Sequence, residues 1–340
     1  MIRFKSLLLG SSYALLALGV SAQQQLLVGN DNAAGVVKQY TLPVSNSSVS
    51  NFSFGSTNVV SVAEDASGNV AVGALSGQIQ FYTAPVSGGS VPSALFQNGA
   101  ASNNGQIAFT PTGDFFAATV GNRVNFFTHP FSNASVPASF VTDPAMVSAI
   151  GVALDSAQNL YVANAGVGTA ITCSSGAGSC SNILIFAPPY TGAPIVTANR
   201  PSAAYRKMSV TATQAFVNNV AGANGGVDIY NLPLTGASTP VATITNGIAT
   251  PEGSAVDATG KLYIGNLSNA TVTVYSAPFS AASVPVTSLL VSAGAFAIFG
   301  IAIGPASTNP GAIPAIGDYG LLALFAVLSL AGFLVIRTRS

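Results

Sequence analysis

Side chains able to do acid–base, nucleophilic or metal chemistry are few in this sequence. Between residues 23 and 305 it holds nine carboxylates (Asp31, Glu64, Asp65, Asp114, Asp143, Asp155, Asp228, Glu252 and Asp257), one histidine, His129, and two cysteines, Cys173 and Cys180. A divalent-cation site needs several oxygen ligands converging on one point. Here the carboxylates are scattered, and Asp65, Asp155 and Asp257 recur at one position of a repeat, which reads as turn scaffold accepting backbone amides. His129 stands beside Pro130 at a position held elsewhere by Leu42, Ala84, Pro188, Leu232 and Ala277. No base-and-orienter pair assembles around it, so the expectation is a non-enzymatic chain with no catalytic residue, no metal and no cofactor. Cys173 and Cys180 bracket the small-residue stretch Ser174 to Ser179. In an exported protein such an even pair reads as one local disulfide, and the metal alternative lacks further Cys or His ligands.

What must position these groups is a repeat array. An aromatic that closes a strand is followed three residues later by Pro in six copies: Tyr40 and Pro43, Tyr82 and Pro85, Phe127 and Pro130, Phe186 and Pro189, Tyr230 and Pro233, Tyr275 and Pro278. Ser or Thr stands two residues after each Pro, at Ser45, Ser87, Ser132, Thr191, Thr235 and Ser280. A period near 45 residues with several short strands per unit predicts propeller blades. Each unit adds a small apolar strand, a polar turn and a second apolar strand, as in Gly151 to Asp155 followed by Asn159 to Asn164, or Ser254 to Asp257 followed by Lys261 to Asn266. Other copies begin at Ser61, Gln106 and Ser209. The first copy opens at Leu26 to Asn30 without its first strand, which reappears at Gly300 to Gly304. The expected fold is therefore an all-β, six-bladed propeller over 23–305, closed when the last strand completes the first blade. Asn30, Asn164, Asn219 and Asn266 fall at one repeat position, held elsewhere by Ala74 and Thr119. Two readings are open: a partial polar ring at one mouth of the channel, or asparagines that tolerate left-handed turns.

The chain has 340 residues, 49% hydrophobic and 6% charged, with ten basic residues against ten acidic. That balance excludes nucleic acid as a partner, because phosphate affinity comes from clustered Lys and Arg. Low charge with high hydrophobicity also excludes a disordered chain. Residues 1–22 read as a secretory signal: Arg3 and Lys5, an uncharged run from Leu7 to Val20, then Val20-Ser21-Ala22 with cleavage by signal peptidase between Ala22 and Gln23. At the other end Tyr319 to Ile336 carries no charge and is followed by Arg337 and Arg339. This predicts a membrane helix over 319–336 with a cytoplasmic basic stop, after a linker at 306–312.

Ile313-Pro314-Ala315-Ile316-Gly317-Asp318-Tyr319-Gly320 stands directly before that helix. The layout resembles the IPTL-CTERM family of carboxy-terminal sorting signals, whose members usually read Ile-Pro-Thr-Leu-Ser-Glu-Trp-Gly. Ile313, Pro314 and Gly320 match, Asp318 and Tyr319 stand in for the acid and the aromatic, and Ala315, Ile316 and Gly317 depart from it. The resemblance covers 313–340 and implies recognition by an exosortase-like membrane protease, then transfer to the cell surface. Retention as a permanent, periplasm-facing anchor is the alternative. The strands resemble those of NHL-type six-bladed propellers, which run from a Gly-Val-Ala-Val-Asp-like strand to a Leu-Tyr-Val-Ala-Asp-like one. The function expected is an exported surface module that binds an extracellular glycan or protein, or serves structurally. The enzymatic alternative is an extracellular hydrolase, such as a calcium-dependent lactonase of the gluconolactonase-like type, or a lyase, with a divalent metal held by at least three carboxylate or Asn ligands at a channel mouth.

Overall fold

Period-2 alternation with apolar residues in both phases makes strands that bury both faces, and such strands stack as sheets between sheets. The computed structural model describes residues 24–30, 35–55, 58–99, 103–166, 180–291 and 298–304. Among them, twenty-four strands form six four-stranded antiparallel sheets, the blades of a β-propeller, with no helix. Blade 1 consists of Ile298–Gly304, Gln25–Asn30, Val37–Thr41 and Phe52–Phe54, counted from the axis outward. The inner strands of blades 2 to 6 are Val59–Glu64, Ile107–Phe109, Ala149–Leu154, Tyr205–Val210 and Pro251–Val256. Each is followed in chain order by its blade's other three strands.

Closure takes the expected form. Ile298–Gly304 pairs with Gln25–Asn30, Gln25 opposite Gly304, so the last strand is the inner strand of the first blade. Two further contacts seal blade 1 to blade 6: Asn46 Oδ1 accepts the Ser288 amide at 2.8 Å and Gln24 Oε1 accepts that of Ala258 at 2.9 Å. The predicted signal (1–22, with the Ala22–Gln23 cleavage point), the linker at 306–312 and the tail at 313–340 lie outside the described residues.

Six apolar clusters fill the six gaps between neighbouring blades. Leu26 and Val28 face blade 6 while Leu27 faces blade 2, the alternation that the pleat imposes. The six repeat aromatics are all buried at the ends of third strands, and the six X–Pro bonds that follow are all cis. After five of these prolines the repeat Ser or Thr amide donates to a serine hydroxyl three residues on, as Ser45 does to Ser48 and Ser280 to Ser283. These turns and the Asp turns share one face with the point where Gln24 enters and Gly304 leaves.

Candidate functional site at the channel mouth

The Asp turns are scaffold. Asp65 Oδ1 accepts the Ser67 and Asn69 amides at 2.8 and 2.9 Å, and Asp257 Oδ1 accepts those of Thr259 and Lys261 at the same distances. Asp155 binds Asn159 likewise, through its amide and its side chain. His129 is exposed on this face, where its backbone amide donates to Asp114 at 2.8 Å.

The four asparagines are buried inside their blades, and three of them brace the chain entering the inner strand. Asn164 Oδ1 accepts the amides of Val147 and Ser148 at 2.9 and 2.7 Å, Asn219 that of Ala204 at 3.0 Å, and Asn266 that of Ala249 at 2.9 Å. Asn30 is also buried, with Oδ1 unpartnered. None of the four has a positive φ. The left-handed-turn reading does not describe them: Asn164, Asn219 and Asn266 act as clamps on the preceding backbone, and each of the four is paired with the residue just before a β-bulge.

Those bulges build the site. In five blades the inner strand carries an extra residue at one level: Val60 in blade 2, Ile150 in blade 4, the Arg206-Lys207 step in blade 5, Glu252 in blade 6 and Phe299 in blade 1. A bulge re-aims side chains, and all of these line one pocket of about 260 Å3 at the channel mouth, together with Leu75, Asn103, Asn104, Val120 and Leu267. Just below, backbones meet directly. A Cβ on Gly105 would stand 2.5 Å from the Ile150 carbonyl oxygen, and one on Gly151 2.6 Å from that of Arg206. Only glycine allows so close an approach. Gln106 then spans blades: its Nε2 donates to the Met208 carbonyl at 2.7 Å and its Oε1 accepts the Met208 and Val152 amides at 2.9 and 3.1 Å. Beyond it lies a second basin of about 220 Å3, lined mainly by Val, Ala, Ile and Leu, with Glu64 as its one carboxylate.

The charged side chains of the bulge-side pocket all come from blades 5 and 6. Arg206 Nε lies 3.0 Å from Glu252 Oε1, and Lys207 Nζ lies 3.8 Å from Glu252 Oε2 and 5.3 Å from the centre of the Phe299 ring. Lys207 and Glu252 are each 4% exposed. Glu64, on the opposite rim, has its carboxyl pushed up to about 8 by burial, against the hydrogen bond from Gln25 and with the Asp65 charge adding to the rise. The two glutamates therefore mark opposite ends of the channel. Among the described residues no three His, Cys, Asp or Glu side chains come together.

A second polar cluster lies buried between blades 4 and 5. Asp228 Oδ2 accepts from Arg200 Nε, Tyr205 OH and Asn219 Nδ2 at 3.4, 3.3 and 3.2 Å, and its Oδ1 accepts from Thr243 at 2.6 Å. Burial raises the Tyr205 hydroxyl well above its ordinary value, and that of Tyr230 to about 12. Both phenols therefore stay protonated and act as fixed hydrogen-bonding groups within blade 5, while Arg200 carries the link from blade 4. Cys180 opens the third strand of blade 4 and is buried, and Cys173 lies outside the described residues.

The likeness to known proteins is one of fold. No family model matches the chain, and no curated protein matches its sequence. A crystal structure of a protein of unknown function from Bacteroides caccae is similar over 83% of this chain and 98% of its own, with a TM-score of 0.58 and 12% identity. A chain in the crystal structure of a nidogen/laminin complex is similar over 82% and 98%, at 0.58 and 13%. This is a six-bladed β-propeller.

Proposed function

We propose that the protein is an exported propeller displayed at the bacterial cell surface, where it acts without catalysis as a binding module and presents the bulge-side mouth outward. The observation that carries this reading is the placement of the chain ends. Gln24 and Gly304 both sit on the Asp-turn rim, and the pocket opens on the opposite rim. A tether continuing from Gly304 therefore leaves the pocket facing away from whatever anchors it. Rigid scaffolds that carry variable side chains on one face are a common way to build a binding surface. The sorting reading supplies the route: Sec-type export with cleavage after Ala22, transient insertion through 319–336, and processing at the Ile313-Pro314 segment by an exosortase-like protease. A Cys173–Cys180 disulfide belongs to the same oxidising destination.

The test is the intact mass and terminal peptides of the protein from separated inner-membrane and surface fractions of its host. Surface material beginning at Gln23 and ending near Ile313, with both cysteines resistant to alkylation before reduction, is expected. Protein found only in the inner membrane with Leu321 to Ser340 retained would make the tail a permanent anchor instead.

A further inference from the structure

We infer that the bulge-side pocket binds a small carboxylic acid with an apolar body. The carboxylate is held on the free edge of the Arg206 guanidinium and the body lies against the aliphatic rim. The inference rests on the reading of this mouth as the ligand face and gives that face a ligand class.

Charge occupies a single sector of the pocket. Arg206 and Lys207 share one carboxylate, Glu252, which leaves one positive charge in excess among the lining residues. Glu252 engages Arg206 through Nε, and the Nη edge has no partner among the described residues. That edge is a planar fork that matches the two oxygens of a carboxylate. Lys207 is already stacked on Phe299 and paired, so it contributes field rather than a second fork. One excess charge suits a monoanion better than a phosphate ester.

The rest of the lining selects the body. Val60, Leu75, Val120, Ile150, Leu267 and Phe299 present hydrocarbon, with Asn103 and Asn104 as the other polar side chains. A sugar acid would bring several hydroxyls that this wall cannot satisfy, and such unpaired groups are costly to bury. At about 260 Å3 the pocket falls just below the range that takes drug-sized ligands, which limits the body to a short chain or a single ring.

The test is calorimetric titration of the full chain in nanodiscs, with empty nanodiscs as blank, using hexanoate, 1-hexanol and acetate. The pair of controls separates the acid from the body. Hexanoate is expected to bind roughly tenfold more tightly than either control, and Arg206→Gln to remove that preference. Leu75 is 42% exposed on the rim, so changing it leaves the fold intact. Leu75→Asp should weaken hexanoate about threefold and Leu75→Lys should strengthen it. Equal binding of hexanol and hexanoate, indifference to both Leu75 charges, or no saturable binding by about 10 mM would each overturn the proposal. Such a failure, with the processed form still found at the surface, would remove this ligand class and leave the surface-module reading standing.

Discussion

The two rims of the propeller come from the same repeats and are built in opposite ways. On the rim where the chain enters and leaves, Asp65, Asp155 and Asp257 do the same work in three blades, and a serine-based turn recurs in five. On the far rim one repeat level carries two aliphatics, Val60 and Ile150, a cation, Lys207, an anion, Glu252, and an aromatic, Phe299. Identical residues at equivalent positions serve what every blade needs, which is a turn. Unlike residues at equivalent positions serve something the ring does once. The lesson is to look for function in the repeat column that varies, provided its side chains converge.

The largest expected effect lies on the varied rim. Glu252→Ala removes the carboxylate that the nearly buried Lys207 and Arg206 both face and should cost about 3–5 kcal/mol in urea unfolding. The double change Glu252→Leu with Lys207→Met should recover most of that loss, since an apolar pair of similar size removes both charges. Failure of the double change to recover stability would assign the loss to packing.

On the uniform rim, Asp65→Ala, Asp155→Ala and Asp257→Ala should each cost about 1–3 kcal/mol and resemble one another, because each removes the acceptor of the amide four residues on. A wide spread among the three would break the comparison.

Two carboxylates of the Asp-turn rim also predict opposite pH limbs. Burial raises the Asp257 carboxyl, but hydrogen bonds from the Thr259 hydroxyl, the Lys261 amide and Tyr263 outweigh it, so its value lies below the ordinary one. Its contribution to stability is present above the unfolded value of about 3.9 and is lost as pH falls through the lower folded value. Glu64 is raised, so its contribution is complete below the ordinary 4.5 and is lost as pH rises toward about 8. Denaturation midpoints followed across pH should show Asp257→Asn flattening the acid limb and Glu64→Gln flattening the decline between those two values. The smallest effect is that of Leu75→Asp, a rim change expected to leave stability within about 0.5 kcal/mol while altering ligand affinity.

Blade number, closure by the last strand and the role of the Asp turns were legible because alternation and recurrence encode them directly. The inner strands were read from Ser61, Gly151, Ser209 and Ser254, whereas they begin at Val59, Ala149, Tyr205 and Pro251. In each case the bulge interrupts the period of two, and reading by alternation starts only after it. The same interruption hid the site, since Arg206, Lys207 and Glu252 look like polar residues in a loop until the bulge turns them to the axis. The bracing role of Asn164, Asn219 and Asn266 was not legible, because their partners are backbone amides contributed by the preceding turn. Asp228 gave one local signal, a carboxylate in the middle of the apolar run Gly226–Asn231, but its partner Arg200 comes from another blade.

The most direct test of the two-rim account is hydrogen–deuterium exchange on the full chain with and without saturating hexanoate. Added protection is predicted at Leu75, Arg206 to Ser209, Glu252 to Ser254, Leu267 and Phe299 to Ile301, with no change at Asp65 to Asn69, Asp155 to Asn159 or Asp257 to Lys261. Protection confined to the Asp-turn rim, or equal on both rims, would contradict it.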